Sequence, residues 1–339
     1  MAKKSLLPVL YDFVRAAPPV LKVNLKGKTV LIVGANTGIG FEAAQHFATM
    51  DPDRLILACR NKEKGDAAIR KLANATGYLK AELWMVDLAE FESVKAFADK
   101  ALTSLERLDI VVMNAGISTT DYQTTRDGWE LTLQTNDLSL SLLSLLLLPR
   151  MIETVERFKV TPRIVFVSSD LHYLSKLKDS IFESPNAFAL MSQKDFCCPK
   201  VMSTRYLDSK LLNVYFTRAL DRHLKERSVV VSALKPGFCY SELRREETSS
   251  LGMSLFERAF AQTAEEGSRQ LIWASVGIPA GGLEDLKGGY VHLSRVVEPA
   301  DSVLDEKGSQ RENKLRNDLI SALKDVDPRV IDVVNQHLK

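Results

Sequence analysis

The chain is 339 residues long, which at about 100–200 residues per domain allows one large domain or two of ordinary size, with a sizeable core in either case. Forty-five Lys and Arg against 43 Asp and Glu leave a formal charge of +2 on a chain that is 26% charged and 45% hydrophobic. That balance excludes an acidic or basic disordered tail protein and gives no electrostatic reason to expect nucleic acid as a partner. Four cysteines, at 59, 197, 198 and 239, form no CxxC pair, so a reducing, cytoplasmic setting is expected rather than a disulfide framework. The histidines at 46, 172, 223, 292 and 337 have no HxxxH or HExxH spacing, so no metal site is expected; His172 and Tyr173, close after Ser169, could face the pocket, although a loop histidine in contact with solvent is the more frequent case.

Residues 1–26 read as an N-terminal docking arm. Their lysines and short apolar run are interrupted by Pro8, Asp12, Arg15 and Pro18–Pro19, unlike a signal peptide, although Leu6, Leu7, Leu10 and Phe13 on one helix face leave a peripheral membrane contact open. From there, short apolar runs alternate with segments of helical period: Thr29–Val33, Arg54–Ala58, Ala81–Val86, Leu108–Met113, Arg163–Ser168 and Val229–Leu234. Runs without strict alternation suit strands covered on both faces. The expected fold is therefore α/β, a doubly wound parallel sheet of about seven strands with helices on both faces, in a single Rossmann-type domain over 27–300.

The most apolar stretch, Leu138 to Leu148, is 11 residues long and carries serines at 139, 141 and 144, so no transmembrane segment is expected. Two stretches break the rhythm, 170–205 and 237–265, and both are expected over the carboxyl ends of the strands, where open α/β sheets bind ligands. The extension 301–339 has leucines at helical spacing between charges and predicts a closing amphipathic helix. Such a helix would cover the Leu138–Leu148 face, which favours a monomer slightly over a homodimer.

The first strand runs into Gly34-Ala-Asn36-Thr37-Gly38-Ile39-Gly40 and then a good helix pattern. Strand, glycine turn and helix N-terminus together offer bare backbone N–H groups and a positive helix end to an anionic pyrophosphate. After the second strand stand Arg60 and Asn61, where an NAD-selective site would offer a carboxylate to the ribose. Arg60 suits a 2′-phosphate instead, which makes NADP(H) the expected cofactor. Asp87-Leu88 after the third strand and Asn114-Ala115-Gly116 after the fourth are expected to complete the cofactor wall. Tyr206 and Lys210, four apart in the helical stretch Ser203 to Leu224, share one helix face, where an ammonium lowers the pKa of a phenol and fits it for acid–base work.

In this order, with Ser168-Ser169 after the fifth strand and Pro236-Gly237 after the sixth, the motifs resemble the short-chain dehydrogenase/reductase superfamily over roughly 27–295. Ala58-Cys-Arg60-Asn61, Asp127-Gly-Trp-Glu and Pro236-Gly-Phe-Cys-Tyr-Ser241-Glu-Leu are most similar to its NADP-dependent retinol dehydrogenase, WW-domain oxidoreductase and protochlorophyllide reductase group. The resemblance implies Tyr206 as proton donor, Lys210 as the group that tunes it and binds the nicotinamide ribose, Ser169 as the hydroxyl that holds the substrate oxygen, and Asn136 as support for a water relay to the lysine. It also implies Pro236, Gly237 and Ser241 at the nicotinamide and phosphate end.

Tyr206 follows Ser169 by 37 positions, farther than in compact members, Arg205 precedes the tyrosine, and Asp137 follows Asn136 where relatives often have histidine. The activity implied is NADPH-dependent reduction of a carbonyl, reversible, on a bulky lipophilic small molecule of the kind handled in secondary metabolism. Leu171, Tyr173, Leu174, Ile181, Phe182, Phe188 and Phe196 argue for that substrate, and equally for mere packing of the insertion. Two alternatives stand beside it, a retinol/retinal-type dehydrogenase and a catalytically silent NADPH-binding regulatory protein, and reduction of a C=C or C=N bond is a third.

Overall fold

Runs of three to six residues, mostly β-branched and aliphatic and too short for stable helices, pair into one sheet in the computed structural model, which describes residues 17–225, 229–239 and 261–339. The strands are β1 (Thr29–Val33), β2 (Arg54–Cys59), β3 (Ala81–Met85), β4 (Ile110–Met113), β5 (Arg163–Val167), β6 (Val230–Leu234), β7 (Tyr290–His292) and β8 (Arg295–Val297). Their order across the sheet is β3-β2-β1-β4-β5-β6-β7-β8, parallel from β3 to β7, with β8 antiparallel at the edge. The fold is the doubly wound Rossmann arrangement. It has eight strands instead of about seven, because the turn at Leu293 and Ser294, both with positive φ, folds the chain back into a short hairpin.

Alternate side chains of each central strand serve opposite faces. Val30 and Ile32 join one core with α1 (Gly38–Ala48), α2 (Lys62–Thr76) and α6 (Ala264–Val276), named here in chain order around the helices that follow. Leu31 and Val33 join the other with α3 (Phe91–Ser104), α4 (Leu131–Phe158) and α5 (Arg205–His223). The chain closes with α7 (Gly308–Val326) and α8 (Arg329–His337), whose Leu315, Leu319, Leu323, Val330 and Val333 are buried in that second core. Each fully buried aliphatic side chain of this kind contributes about 1.5–3 kcal/mol of transfer free energy.

Helix α4 is longer than its apolar stretch suggested. It runs for 28 residues and is long and apolar enough to cross a membrane by length and composition, yet 72% of its most apolar window is buried inside the fold. The insertion at 170–205 carries its own short helices, Asp179–Glu183, Ala187–Ser192 and Pro199–Met202, after a 3₁₀ turn at Asp170–Leu174. At the other end, Arg269 donates to the carbonyls of Ala17 and Pro18, so the last part of the arm lies on α6. The apolar positions of the arm from Leu6 to Val14 and most of the second insertion lie outside the described residues.

Candidate active site

The strand order reverses between β1 and β4, and a crevice forms where the chain leaves those two strands in opposite directions. Gly34 opens the turn after β1 with φ +86°, and a Cβ there would sit 2.7 Å from Cα of Ala115, so only glycine lets the two loops touch. Gly40 is as tightly held: its missing Cβ would meet the Gly34 carbonyl and the Asn114 amide, which itself donates to Gly34 O at 2.7 Å. Helix α1 therefore starts hard against the turn. Its first turn carries no acidic residue and its N-cap, Thr37, makes no side-chain cap, which leaves the N-terminal N–H groups and the positive helix end directed past Gly38.

The residues expected around this turn occupy distinct places. Arg60 is exposed at the end of β2, while Asn61 Oδ1 caps α2 by accepting from Lys64 N at 2.8 Å. Asp87 Oδ1 accepts from Ala89 N at 2.9 Å, and Leu88 is buried with its carbonyl bonded to Ser139 Oγ at 2.6 Å. Gly116 lies beside Asn136 and Lys210: a Cβ on it would stand 3.3 Å from Asn136 Oδ1 and 3.4 Å from Lys210 Nζ.

Helix α5 brings in the tyrosine and lysine at one-turn spacing. Lys210 Nζ lies 5.5 Å from the centre of the half-buried Tyr206 ring and donates to Val167 O at the end of β5 at 2.9 Å. Lys210 is almost completely buried, and desolvation pushes its pKa down to about 8, opposed by the charge of Asp137. Asn136 sits in a π turn, Gln134–Leu138, inside the start of α4. Its side chain bonds both backbone groups of Ile117, at 2.8 and 2.9 Å, and donates to Ser209 Oγ at 3.0 Å, tying α4, the loop after β4 and α5 together.

The two adjacent serines part company here. Ser168 is buried and donates to Lys210 O at 2.8 Å, a bond that seats α5 on the sheet. Ser169 is half-buried, and its Oγ accepts from Leu171 N at 3.2 Å. Behind it stands a polar cluster that the sequence did not reveal.

His172, expected at solvent, is fully buried: the surrounding Tyr173 and Tyr290 rings, with centroids 3.9 and 4.6 Å away, shut it off from water. Ala300 N donates to Nε2 at 3.1 Å, so Nδ1 carries the proton and gives it to the Ser169 carbonyl at 2.7 Å, where Tyr290 OH also donates at 3.2 Å. Lys235, also fully buried, pairs with Asp170 and so joins the Pro236–Gly237 loop to the Ser169 turn. A lysine directly after the apolar strand Val230–Leu234 was the one sequence signal for it. Ser241 lies outside the described residues.

A buried ion pair fixes the tyrosine's own end of α5. Arg205 Nε lies 3.3 Å from Glu130 Oε2 with neither side chain exposed, and Arg205 also donates to Met191 O at 2.6 Å and contacts Cys197 Sγ at 3.2 Å. Glu130 in turn accepts from Thr132 N and Leu133 N at 2.8 and 2.9 Å, capping α4. Of the lipophilic residues expected to line a pocket, Ile181 and Phe188 are buried in the core, Tyr173 OH is bonded to Glu298 O, and Leu174 is 62% exposed.

Fold and site together define a doubly wound α/β protein with a turn shaped for a dinucleotide and a tyrosine–lysine pair at its edge. Comparison with known proteins agrees. The family model for short chain dehydrogenase matches residues 28–175. The short chain dehydrogenase/reductase dmxR8 of a Cryptosporiopsis species is 32% identical over 95% of this chain and 98% of its own, and human retinol dehydrogenase 12 is 34% identical over 79% and 78%. The crystal structure of 3-ketoacyl-(acyl-carrier-protein) reductase from Brucella melitensis complexed with NADH shares the fold at a TM-score of 0.57 and 19% identity, over 79% of this chain and 97% of that one. The chain belongs to the short-chain dehydrogenase/reductase family and is an oxidoreductase, close to the retinol dehydrogenase-like group.

Proposed function

We propose that this enzyme reduces a ketone or aldehyde with NADPH, reversibly, on a bulky lipophilic small molecule. The observation that carries the reading is the Tyr206–Lys210 pair, a phenol 5.5 Å from a buried ammonium, set at the mouth of the turn formed by Gly34, Asn114 and Gly116. The bare N-terminus of α1 and the glycine turn fit a pyrophosphate, and the loop after β4, with Lys210 beside Gly116, fits the nicotinamide ribose. When bound, the cofactor supplies the hydride. The protein's own groups do the rest: Ser169 Oγ holds the substrate oxygen, Tyr206 gives it a proton, and Lys210 keeps the resulting phenolate stable. Asn136 fixes the loop against which Lys210 rests.

Arg60 supports NADPH over NADH. It stands exposed at the carboxyl end of β2, and among the described residues no carboxylate pairs with it. Arg60→Ala is expected to raise KM for NADPH by about 10–100-fold, the value of one or two charge-assisted hydrogen bonds, and to leave KM for NADH nearly unchanged. A wild-type KM for NADH equal to or below that for NADPH would remove Arg60 from this role.

Support for a lipophilic substrate rests on the exposed Leu174 and the half-buried Leu171 and Tyr173, which follow Ser169 directly. Oxidation of NADPH measured across a panel from small polar to large apolar carbonyls is expected to give the highest kcat/KM at the apolar end. Preference for the small polar members would discard this substrate class.

A further inference from the structure

The pairing of β5 with β6 stops just short of the site. Its last rung is Ser168 N donating to Leu234 O at 2.8 Å, and the next would need an N–H at Pro236, which has none. Beyond that point the main-chain ladder no longer joins the Ser169 turn to the Pro236–Gly237 loop. A side-chain ion pair joins them instead, from Lys235 Nζ to Asp170 Oδ1.

Lys235 follows Ala233 by two residues and so falls on the face of the sheet that carries α5, where an apolar side chain would continue the pattern of β6. It is a fully buried lysine instead, with the Tyr173 ring centre 5.8 Å from Nζ. Burying an ammonium and a carboxylate together carries a desolvation cost that apolar side chains of similar volume do not, so stability gives no reason for the pair to be ionic. Its place gives one. Asp170 directly follows Ser169, whose carbonyl is held by His172 Nδ1 at 2.7 Å and by Tyr290 OH of β7 at 3.2 Å. Lys235 directly precedes Pro236, and its own N–H is fixed to Val291 O at 3.0 Å. The ion pair therefore spans two segments that are otherwise anchored separately.

We propose that Asp170 and Lys235 are positioning residues for the reaction, whose ion pair sets Ser169 Oγ, the group that holds the substrate oxygen, against the Pro236–Gly237 loop at the nicotinamide end. The inference rests on the reading of Ser169 given above and on the place implied for that loop. A pair kept only for stability is replaceable by apolar side chains without loss of rate. A positioning pair is not, since a shift of about 1 Å in a reacting group lowers turnover by about 10²-fold.

The test is kcat of the full chain with saturating NADPH and the best carbonyl of the panel described above, measured well below the melting temperature of each variant. Asp170→Leu/Lys235→Met removes both charges together and is expected to fold with a Tm close to wild type while kcat falls about 10–100-fold. If that variant does not fold, Asp170→Asn serves instead: it keeps the shape and weakens the link, and kcat is expected to fall by about 10-fold. In a Ser169→Ala background the same substitutions are expected to cost no more than about twofold, because the hydroxyl through which they act is gone. Wild-type kcat in the folded variant, or the full loss repeated on top of Ser169→Ala, overturns the positioning role. Ser169→Ala by itself separates this from the underlying reading. A slow Ser169→Ala beside a fully active pair variant removes only the role of the ion pair, whereas wild-type turnover in Ser169→Ala removes the part assigned to the serine.

Discussion

Tyr206→Phe is expected to lower kcat by about 10²–10⁴-fold, the usual span for loss of a positioned acid–base group, while leaving cofactor affinity close to wild type. A free phenol with pKa near 10 gives up and regains its proton poorly at neutral pH. In this fold a desolvated ammonium stands 5.5 Å from the ring, and on the reading proposed above it is the charge that stabilises the phenolate during proton transfer. Phenylalanine keeps the ring packed against α5 and takes away only the hydroxyl. The glycine turn, Asn114 and Gly116 are untouched, so titration of protein fluorescence with NADPH should report unchanged binding beside the collapse in turnover. A variant that binds NADPH and turns over at the wild-type rate would move the chemistry off the phenol and revive reduction of a C=C or C=N bond.

Lys210 adds the pH dependence of that step. Burial lowers its pKa to about 8, so the ammonium is present below that pH and lost above it, and turnover is expected to decline on the alkaline side, which a pH profile of kcat measures. Stability runs the other way. Between about 8 and the ordinary lysine range the unfolded chain still holds a proton that the folded chain has released, so Lys210 makes stability increase with pH across that window.

The second large effect is on stability. Arg205→Met is expected to cost about 3–5 kcal/mol, because it leaves the Glu130 carboxylate fully buried and unpaired, and also strips donors from Met191 O and Cys197 Sγ. In a protein of this size that is a fall in Tm on the order of 10 °C. The double variant Glu130→Gln/Arg205→Met should recover part of the loss, since no charge is then stranded, while the helix cap on Thr132 N and Leu133 N retains one oxygen. Arg205 adjoins Tyr206 and anchors the 187–202 part of the insertion, so the single variant should lose activity as well. Melting at the wild-type temperature would show that the pair is dispensable.

The six strand segments read from apolar runs lie within one or two residues of the observed strands, since β-branched clusters between glycine and polar turns encode extended structure locally. Lys210 was legible beside Tyr206 for the same reason, a spacing of four on one helix. His172 misled because its burial comes from Tyr290, 118 positions away, and from the Ala300 backbone. The lipophilic insertion was open to two readings, substrate lining or packing, and Ile181 and Phe188 follow the second: they find their cover in the core shared with α7, which no local pattern announces.

What the chain decides by itself is therefore the short-range chemistry: where strands and helices form, the glycine turn after β1, and a phenol and an amine on one face of α5. Only the tertiary structure decides that Ser168 is spent on the Lys210 carbonyl while Ser169 is left half-exposed, and that Glu130 meets Arg205 and Asn213 meets Asp137. The physical reason is separation along the chain. Hydrogen bonding and side-chain periodicity act over a few residues, whereas a buried charge is balanced by whatever the path of the backbone brings beside it, here groups 75 and 76 positions apart.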